Sequence, residues 1–159
     1  MTAIVKVRPA ANLLGNDLPK DIFAWMSKYS KHRRFQKEVG EGHSPCRGGA
    51  AIGYVTKEGT PVLVAKNLNS KLPDFWEEDS QSQYGAYAAY KCITALMNKR
   101  DTVDTGEDFS FDGAVHAGAC IVYLPEWEAW VCVAFSGFES TMDKEIAGAA
   151  LKEFFETKK

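Results

Sequence analysis

The stretch GAVHAGACIVYLPEWEAWVCVAFSG, residues 113–137, contains no lysine or arginine and is apolar over most of its length. Two apolar runs, 119–124 and 129–135, flank the short polar segment PEWE. Short runs rich in valine and aromatic residues on either side of a proline turn are typical of a β-hairpin. Because both runs are apolar on both faces, they predict central strands covered by helices.

The turn of this hairpin decides which residues face each other. Pro125 suits the second position of a type I turn, so we favour a four-residue turn over 125–128. Cys120 and Cys132 are then not directly opposite, whereas a three-residue turn would align them, and we expect free thiols in either case. Trp127 at the tip is predicted to be exposed, and both Trp127 and the 69–80 loop are predicted to lie at a subunit contact.

Further elements are predicted on the N-terminal side of this hairpin. GNDLPKD (15–21) is typical of a helix start, with Asn16 or Asp17 as the cap, and predicts a helix that ends near Gly40. A second hairpin is predicted over 50–68 around KEG, where Gly59 is free to take a positive φ.

Two more helices complete the pattern. The central one covers 80–100, with an apolar stripe of Ala86, Tyr90, Ile93 and Met97 and a second face of Tyr87, Lys91, Thr94 and Asn98. The closing helix begins at a capping box of Ser140 and Asp143. Its predicted buried stripe consists of Ile146, Ala149, Ala150 and Phe154.

The predicted order is therefore α-β-β-α-β-β-α. This order indicates an α+β fold in which helices pack on an antiparallel sheet of four to five strands. We expect residues 1–159 to form one domain, with 1–16 as a mobile N-terminal arm or an edge strand.

Composition excludes several classes of protein. The net charge is −2, whereas nucleic-acid binders are more often basic, so no nucleic-acid partner is expected. No apolar run approaches the ~18 residues of a membrane helix, so no membrane partner is expected. The N-terminus lacks a signal-peptide pattern and the four cysteines are scattered, which favours a cytoplasmic protein with reduced thiols.

Three segments together resemble the GlcG/HbpS-like family. GYVTKEGTPVLVAKN (53–67) resembles its first hairpin, and AAYKCITALMNKRDT (88–102) resembles its central helix, with Lys91 in place. Residues 116–151 resemble its last hairpin, Ser-Gly turn and closing helix. The resemblance implies a profilin-like topology, haem or corrinoid as a ligand, and a homo-oligomer.

HAGAC (116–120) is the first candidate site. His116 and Gly118 share one strand face, and the bare glycine would leave an open spot where a flat ligand approaches. His116 is then the candidate ligand of a haem iron, while Tyr87 and Lys91 bracket a carboxylate or propionate. The alternative is that this strand simply packs against AGAA (147–150), with His116 as a structural residue.

SGFESTMD (136–143) is the second candidate site. Ser136 and Gly137 lead into a helix start, where backbone N–H groups and the helix dipole favour a small anion or carboxylate. The alternative is ordinary capping by Ser140 or Thr141.

Other chemistry finds less support in the sequence. The pairs His43/Cys46 and His116/Cys120 would make a zinc site only if they met in space, and no catalytic residue is predicted. We therefore expect a small-molecule or tetrapyrrole binding module. An oligomeric accessory protein without a cofactor is the alternative, and an enzyme is the third possibility.

Overall fold

The computed structural model describes residues 14–15, 17–30, 48–68, 84–103, 117–137 and 140–155. Its elements are α1 (Asp17–Ser30), β1 (Gly49–Val55), β2 (Pro61–Asn67), α2 (Tyr84–Asn98), β3 (Ala119–Leu124), β4 (Ala129–Ser136) and α3 (Ser140–Phe155). The predicted α+β class and the order α-β-β-α-β-β-α are confirmed. Within these ranges no helix has the length and apolar character needed to cross a bilayer.

The four strands form one antiparallel sheet in the order β2-β1-β4-β3. The prediction that both strands of the last hairpin are central is confirmed for β4 and wrong for β3, which is an edge strand. β3 is nevertheless apolar on both faces because both helical layers reach it. Cys120 packs into the core on one face, and Ile121 packs against the core on the other.

Both hairpin turns have the predicted geometry. In the last hairpin Cys120 lies opposite Val133, as the four-residue turn requires, and the Trp127 N–H donates to the Leu124 carbonyl at 3.1 Å. That bond closes a turn with Pro125 in its second position. In the first hairpin Gly59 has a φ of 88°, which confirms the positive φ predicted there.

The sheet separates two unlike helical layers. On one face α1 and α3 pack over large side chains, among them Ile22, Met26, Ile52, Val131, Val133, Phe135 and Ile146. On the other face α2 packs over small ones, among them Ala51, Ala88, Cys92, Ala95, Ala119, Cys132 and Ala134. Small residues on both sides of an interface let a helix backbone approach the strands closely.

The buried face of α2 is therefore not the predicted one. Ala86 and Met97 are exposed, and Tyr90 and Ile93 are only half-buried. The residues that α2 buries are Gly85, Ala88, Lys91, Cys92, Thr94, Ala95 and Leu96. Most of the side chains on the sheet side are small because the gap between α2 and the strands is narrow, and Lys91 and Leu96 are the large ones buried there.

The ends of the helices agree with the sequence only in part. α1 begins at Asp17, as predicted, while its predicted end near Gly40 and most of the predicted N-terminal arm lie outside the described residues. In α3, Ile146 and Ala150 are buried as predicted. Ala149 and Phe154 are half-buried, because Ala147, Leu151 and Phe155 take the positions facing the sheet.

Trp127 is not the exposed contact that its place in a turn predicts. Its side chain is only 3% exposed and its ring meets Phe155 of α3 edge-on, with centroids 5.8 Å apart. The indole Nε1–H has no hydrogen-bond partner. The turn thus folds back onto the end of α3, and Trp127 is unsuitable as a subunit contact. The 69–80 loop lies outside the described residues.

The contact between β1 and α2 is the tightest backbone approach described. A Cβ atom placed on Gly49 would overlap the backbone of Tyr84 and Gly85. The Gly85 N–H also donates to Asn67 Oδ1 at 2.8 Å, which ties the start of α2 to the end of β2. Both glycines are required because backbone meets backbone at this point.

We predict that Gly49→Ala destabilises the fold by about 1–3 kcal/mol, because the added methyl group forces α2 away from the sheet. Urea unfolding followed by circular dichroism measures the change. Gly59→Ala is the control, since a Cβ there meets nothing within 4 Å and costs only the strain of a positive φ. Equal costs in the two variants would contradict the close approach.

Candidate functional site

A buried ion pair lies at the end of the sheet where β3 begins. Lys91 of α2 is 4% exposed and Asp143 of α3 is 2% exposed. The Lys91 Nζ donates to Asp143 Oδ2 at 3.1 Å. Because α2 and α3 lie on opposite faces, this pair connects the two helical layers past the end of the sheet.

Lys91 also completes the hydrogen bonding of β4. Its Nζ donates to the Phe135 carbonyl oxygen at 3.2 Å. The Phe135 N–H still donates to the Gly118 carbonyl at 2.8 Å, but β3 starts only at Ala119. The ammonium group therefore supplies a donor at the point where the strand ladder ends, as buried carbonyl groups require.

Gly118 makes room for this contact. Its φ is 138°, and a Cβ atom there would lie 2.8 Å from Lys91 Nζ and 2.6 Å from the Phe135 oxygen. The same atom would lie 3.1 Å from Asp143 Cβ. The open spot that the sequence predicts beside Gly118 is thus filled by the protein's own ion pair.

Ser136 and Gly137 follow directly at the end of β4. Both residues are buried, with Ser136 7% exposed, and Ser136 shares the α2 face of the sheet with Ala134. A nearly buried hydroxyl therefore stands next to the residue whose carbonyl binds Lys91.

The structure brings together some of the predicted site residues and leaves out others. Lys91, Gly118 and the end of β4 meet at one place. Tyr87 is 40% exposed, and its ring lies edge-on to Tyr90 one turn before Lys91, outside the buried cluster. His116 lies outside the described residues, as do His43 and Cys46.

A metal centre is not seen within the described ranges. They contain no group of three or more histidine, cysteine, aspartate or glutamate side chains placed to hold an ion. The zinc arrangement considered from the sequence depends on His43, Cys46 and His116, and stays a prediction.

Asp143 is the residue of the site whose role sequence reasoning missed. Its position three residues after Ser140 suggests only a helix cap. The sequence feature that indicates a buried ion pair is on α2, where Lys91 interrupts a run of small residues that pack against the sheet. A lysine buried at such a position needs an acidic partner. Asp143 lies in the first turn of α3, which follows β4 along the chain.

The electrostatics of this cluster favour a hydrogen-bond acceptor. An ammonium group has three N–H donors, and the described residues accept from two of those of Lys91. The first turn of α3 adds the positive end of its helix dipole next to Asp143. The cluster therefore has donor capacity beyond what its own acceptors use.

A separate groove of about 530 Å³ lies between β3 and α3 and includes Cys120. The Cys120 thiol donates to the Lys144 carbonyl at 3.7 Å. Burial, with an addition from nearby Asp101 and against the opposing effect of Lys144, raises the pKa of this thiol to about 12. Burial also raises the pKa of Cys132. Neither thiol is suited to nucleophilic chemistry at neutral pH.

Comparison with known proteins yields one distant similarity. No protein-family model matches the chain, and no curated protein matches it. Among solved structures the chain is similar to the crystal structure of the Ybr137w protein, with 15% sequence identity and a TM-score of 0.49. The alignment covers 89% of this chain and 78% of that chain. A similarity this distant does not transfer a function.

We predict that Lys91→Met destabilises the protein by about 3–5 kcal/mol, because it leaves the Asp143 carboxylate buried without its partner. The double variant Lys91→Met, Asp143→Leu should recover a large part of this loss, since no isolated charge remains. Denaturant unfolding of the four proteins of this cycle measures the coupling. A double variant no more stable than Lys91→Met would contradict the ion pair.

We also predict that Cys92, Cys120 and Cys132 resist Ellman's reagent at pH 8 in the native protein and react after unfolding. A Cys120 pKa of about 12, against its ordinary 9.0, keeps the folded thiol protonated at that pH. Because the unfolded thiol ionises first, stability should fall as the pH rises above 9.0. The experiment uses Cys46→Ser, and rapid native labelling would refute the burial.

Proposed function

We propose that this protein is a small-molecule binding module and that it holds one carboxylate or similar anionic group of its ligand beside Lys91. The observation that supports this proposal is the third N–H of the buried Lys91 ammonium, since the described residues accept only two, beside the end of β4 where Ser136 lies. A buried ammonium donor of this kind favours an oxygen acceptor, and we propose the Ser136 hydroxyl as the second donor to it.

The charges nearby limit what kind of ligand suits this place. Lys91 and Asp143 neutralise each other, and the N-terminus of α3 adds a partial positive charge. One ligand carboxylate would gain from the helix dipole and from both donors. A second carboxylate would lie close to Asp143 and be repelled, so we propose a monocarboxylate rather than a polyanion.

Burial makes this donor pair selective. The Lys91 and Asp143 side chains are only 5% and 3% exposed, so the surroundings have a low effective dielectric. A hydrogen bond to a charged group is stronger there than at the surface, and a ligand without an acceptor would leave the donors unpaired.

The tetrapyrrole form of this proposal comes from the GlcG/HbpS-like resemblance. The described residues do not fit a planar macrocycle, because Lys91, Phe135 and Asp143 fill the space beside Gly118. A haem or corrinoid would therefore depend on His116 and other residues outside the described ranges. We therefore do not assign a tetrapyrrole to the Lys91 site, and haemin binding is tested separately.

The alternative proposal is an oligomeric interaction protein without a cofactor. It is favoured by the outer edge of β2, which pairs with no other strand within the described residues. We also propose a cytoplasmic location for the protein, supported by the free thiols of Cys92, Cys120 and Cys132.

The proposal is tested by titrating the protein calorimetrically with acetate, propionate, benzoate and succinate. We expect saturable binding of a monocarboxylate and weaker binding of succinate. Ser136→Ala should weaken binding of the monocarboxylate by about tenfold or more, because one hydrogen bond to a charged group contributes about 1.5–3 kcal/mol. Ser27→Ala on α1, which packs on the opposite face of the sheet, is the matched control and should bind like the wild type.

A haemin titration monitored at the Soret band separates the two forms of the proposal. Saturable haemin binding that His116→Ala removes and Ser136→Ala does not change would favour a tetrapyrrole site away from Lys91. If none of the carboxylates binds, or if Ser136→Ala binds them as the wild type does, the carboxylate site is wrong.

A further inference from the structure

Among the described residues, the two edge strands of the sheet differ in whether other residues hydrogen-bond to their outer backbone groups. Along β3, the Thr102 N–H donates to the Ala119 carbonyl at 3.0 Å, and the Ala119 N–H donates back to Thr102 Oγ1 at 3.0 Å. The Ile121 N–H donates to Asp101 Oδ1 at 2.9 Å. Residues that follow α2 therefore cover the first half of this edge.

The β2 edge has no such cover within the described ranges. The Leu68 N–H donates to the Gly48 carbonyl at 2.8 Å, so the even-numbered residues of this strand direct their backbone groups towards β1. The backbone groups of Leu63 and Ala65 consequently point outward, and no described residue binds them. Unpaired edge groups of this kind are a template for another strand.

We infer that this edge pairs with the β2 strand of a second copy of the chain, antiparallel and related by a twofold axis at Val64. In that register Leu63 lies opposite Ala65 of the partner subunit, and Ala65 lies opposite the partner's Leu63. Residues that face each other in this way exchange both of their backbone hydrogen bonds. All the outward N–H and C=O groups of Leu63 and Ala65 are thereby satisfied.

The side chains agree with this register. Val64 is 39% exposed and meets the partner's Val64 across the axis, where β-branched cross-strand pairs stabilise a sheet. Lys66 lies opposite the partner's Val62, so no like charges face each other. The pairing joins the two four-stranded sheets into one continuous sheet.

Neighbouring registers are less favourable. An axis at Leu63 places Pro61, which has no N–H, opposite the partner's Ala65. An axis at Lys66 opposes two ammonium groups directly.

Disulfide trapping tests the register. At the centre of the pairing the two residues at position 64 form a non-hydrogen-bonded pair with Cα atoms about 4.5 Å apart, which a disulfide spans. Val64→Cys should therefore cross-link into a dimer when glutathione disulfide oxidises the two thiols. Val62→Cys and Lys66→Cys, each facing a different residue in the partner, should stay uncross-linked, as should the wild type.

Light scattering tests the pairing without a cross-link. The wild type should have twice the 17.6 kDa mass of one chain. Ala65→Pro removes an outward N–H while leaving the bonds to β1, so it should give a monomer with an unchanged circular dichroism spectrum. Ala65→Ser keeps the N–H and should remain a dimer.

Two results would overturn the inference. One is a monomeric wild type, and the other is a failure of Val64→Cys to cross-link faster than Val62→Cys and Lys66→Cys. Since none of these residues contacts Lys91, loss of the dimer with carboxylate binding intact would leave the proposed ligand site unaffected.

Discussion

The contact between Lys91 and Asp143 is the interaction on which the rest of this structure depends. It joins a helix on one face of the sheet to a helix on the other, through the gap where β3 has not yet begun. Gly118 keeps that gap open, and the Phe135 carbonyl accepts a second bond from the same ammonium. A buried ion pair adds little net stability, but it fixes one arrangement of its partners because each misplaced charge is costly. The pair therefore sets where α2 and α3 lie along the sheet.

The same constraint explains why polar character concentrates at one end of the molecule. Asp143, Ser136 and Asn67 are buried polar residues that lie where a strand ends or a helix begins. Lys91 lies in the middle of α2, and its ammonium group reaches the end of β4. Backbone groups at such places lack ladder or helical partners and need side chains to satisfy them. The opposite end carries the two hairpin turns, which satisfy their own backbone groups. The donor group of Lys91 accordingly lies at the end of the sheet where β3 begins.

The sequence predicts the order of the elements and the turn of the last hairpin because these depend on local patterns, such as Pro125 and the run around it. The predicted buried face of α2 is wrong, since Met97 is expected in the core and is exposed. Hydrophobic periodicity carries no information on how closely a helix approaches its sheet. The sequence also mistakes Trp127 for a surface residue, since the packing of a turn against Phe155 is a long-range contact. The sequence places Lys91 and Gly118 in one candidate site and Ser136 in another. Their meeting through Asp143 depends on the fold and could not be read from spacing.

The strand order has a consequence for how the chain reaches this fold. Each hairpin closes a short loop, so β1 with β2, and β3 with β4, are able to form early and independently. The pairing of β1 with β4 joins residues that are separated along the chain by β2, α2 and β3. Forming this pairing carries the largest loss of chain entropy among the three strand pairings, because it closes the longest loop. Folding speed in this protein should thus be set by the meeting of two preformed halves, as expected where distant contacts dominate the core.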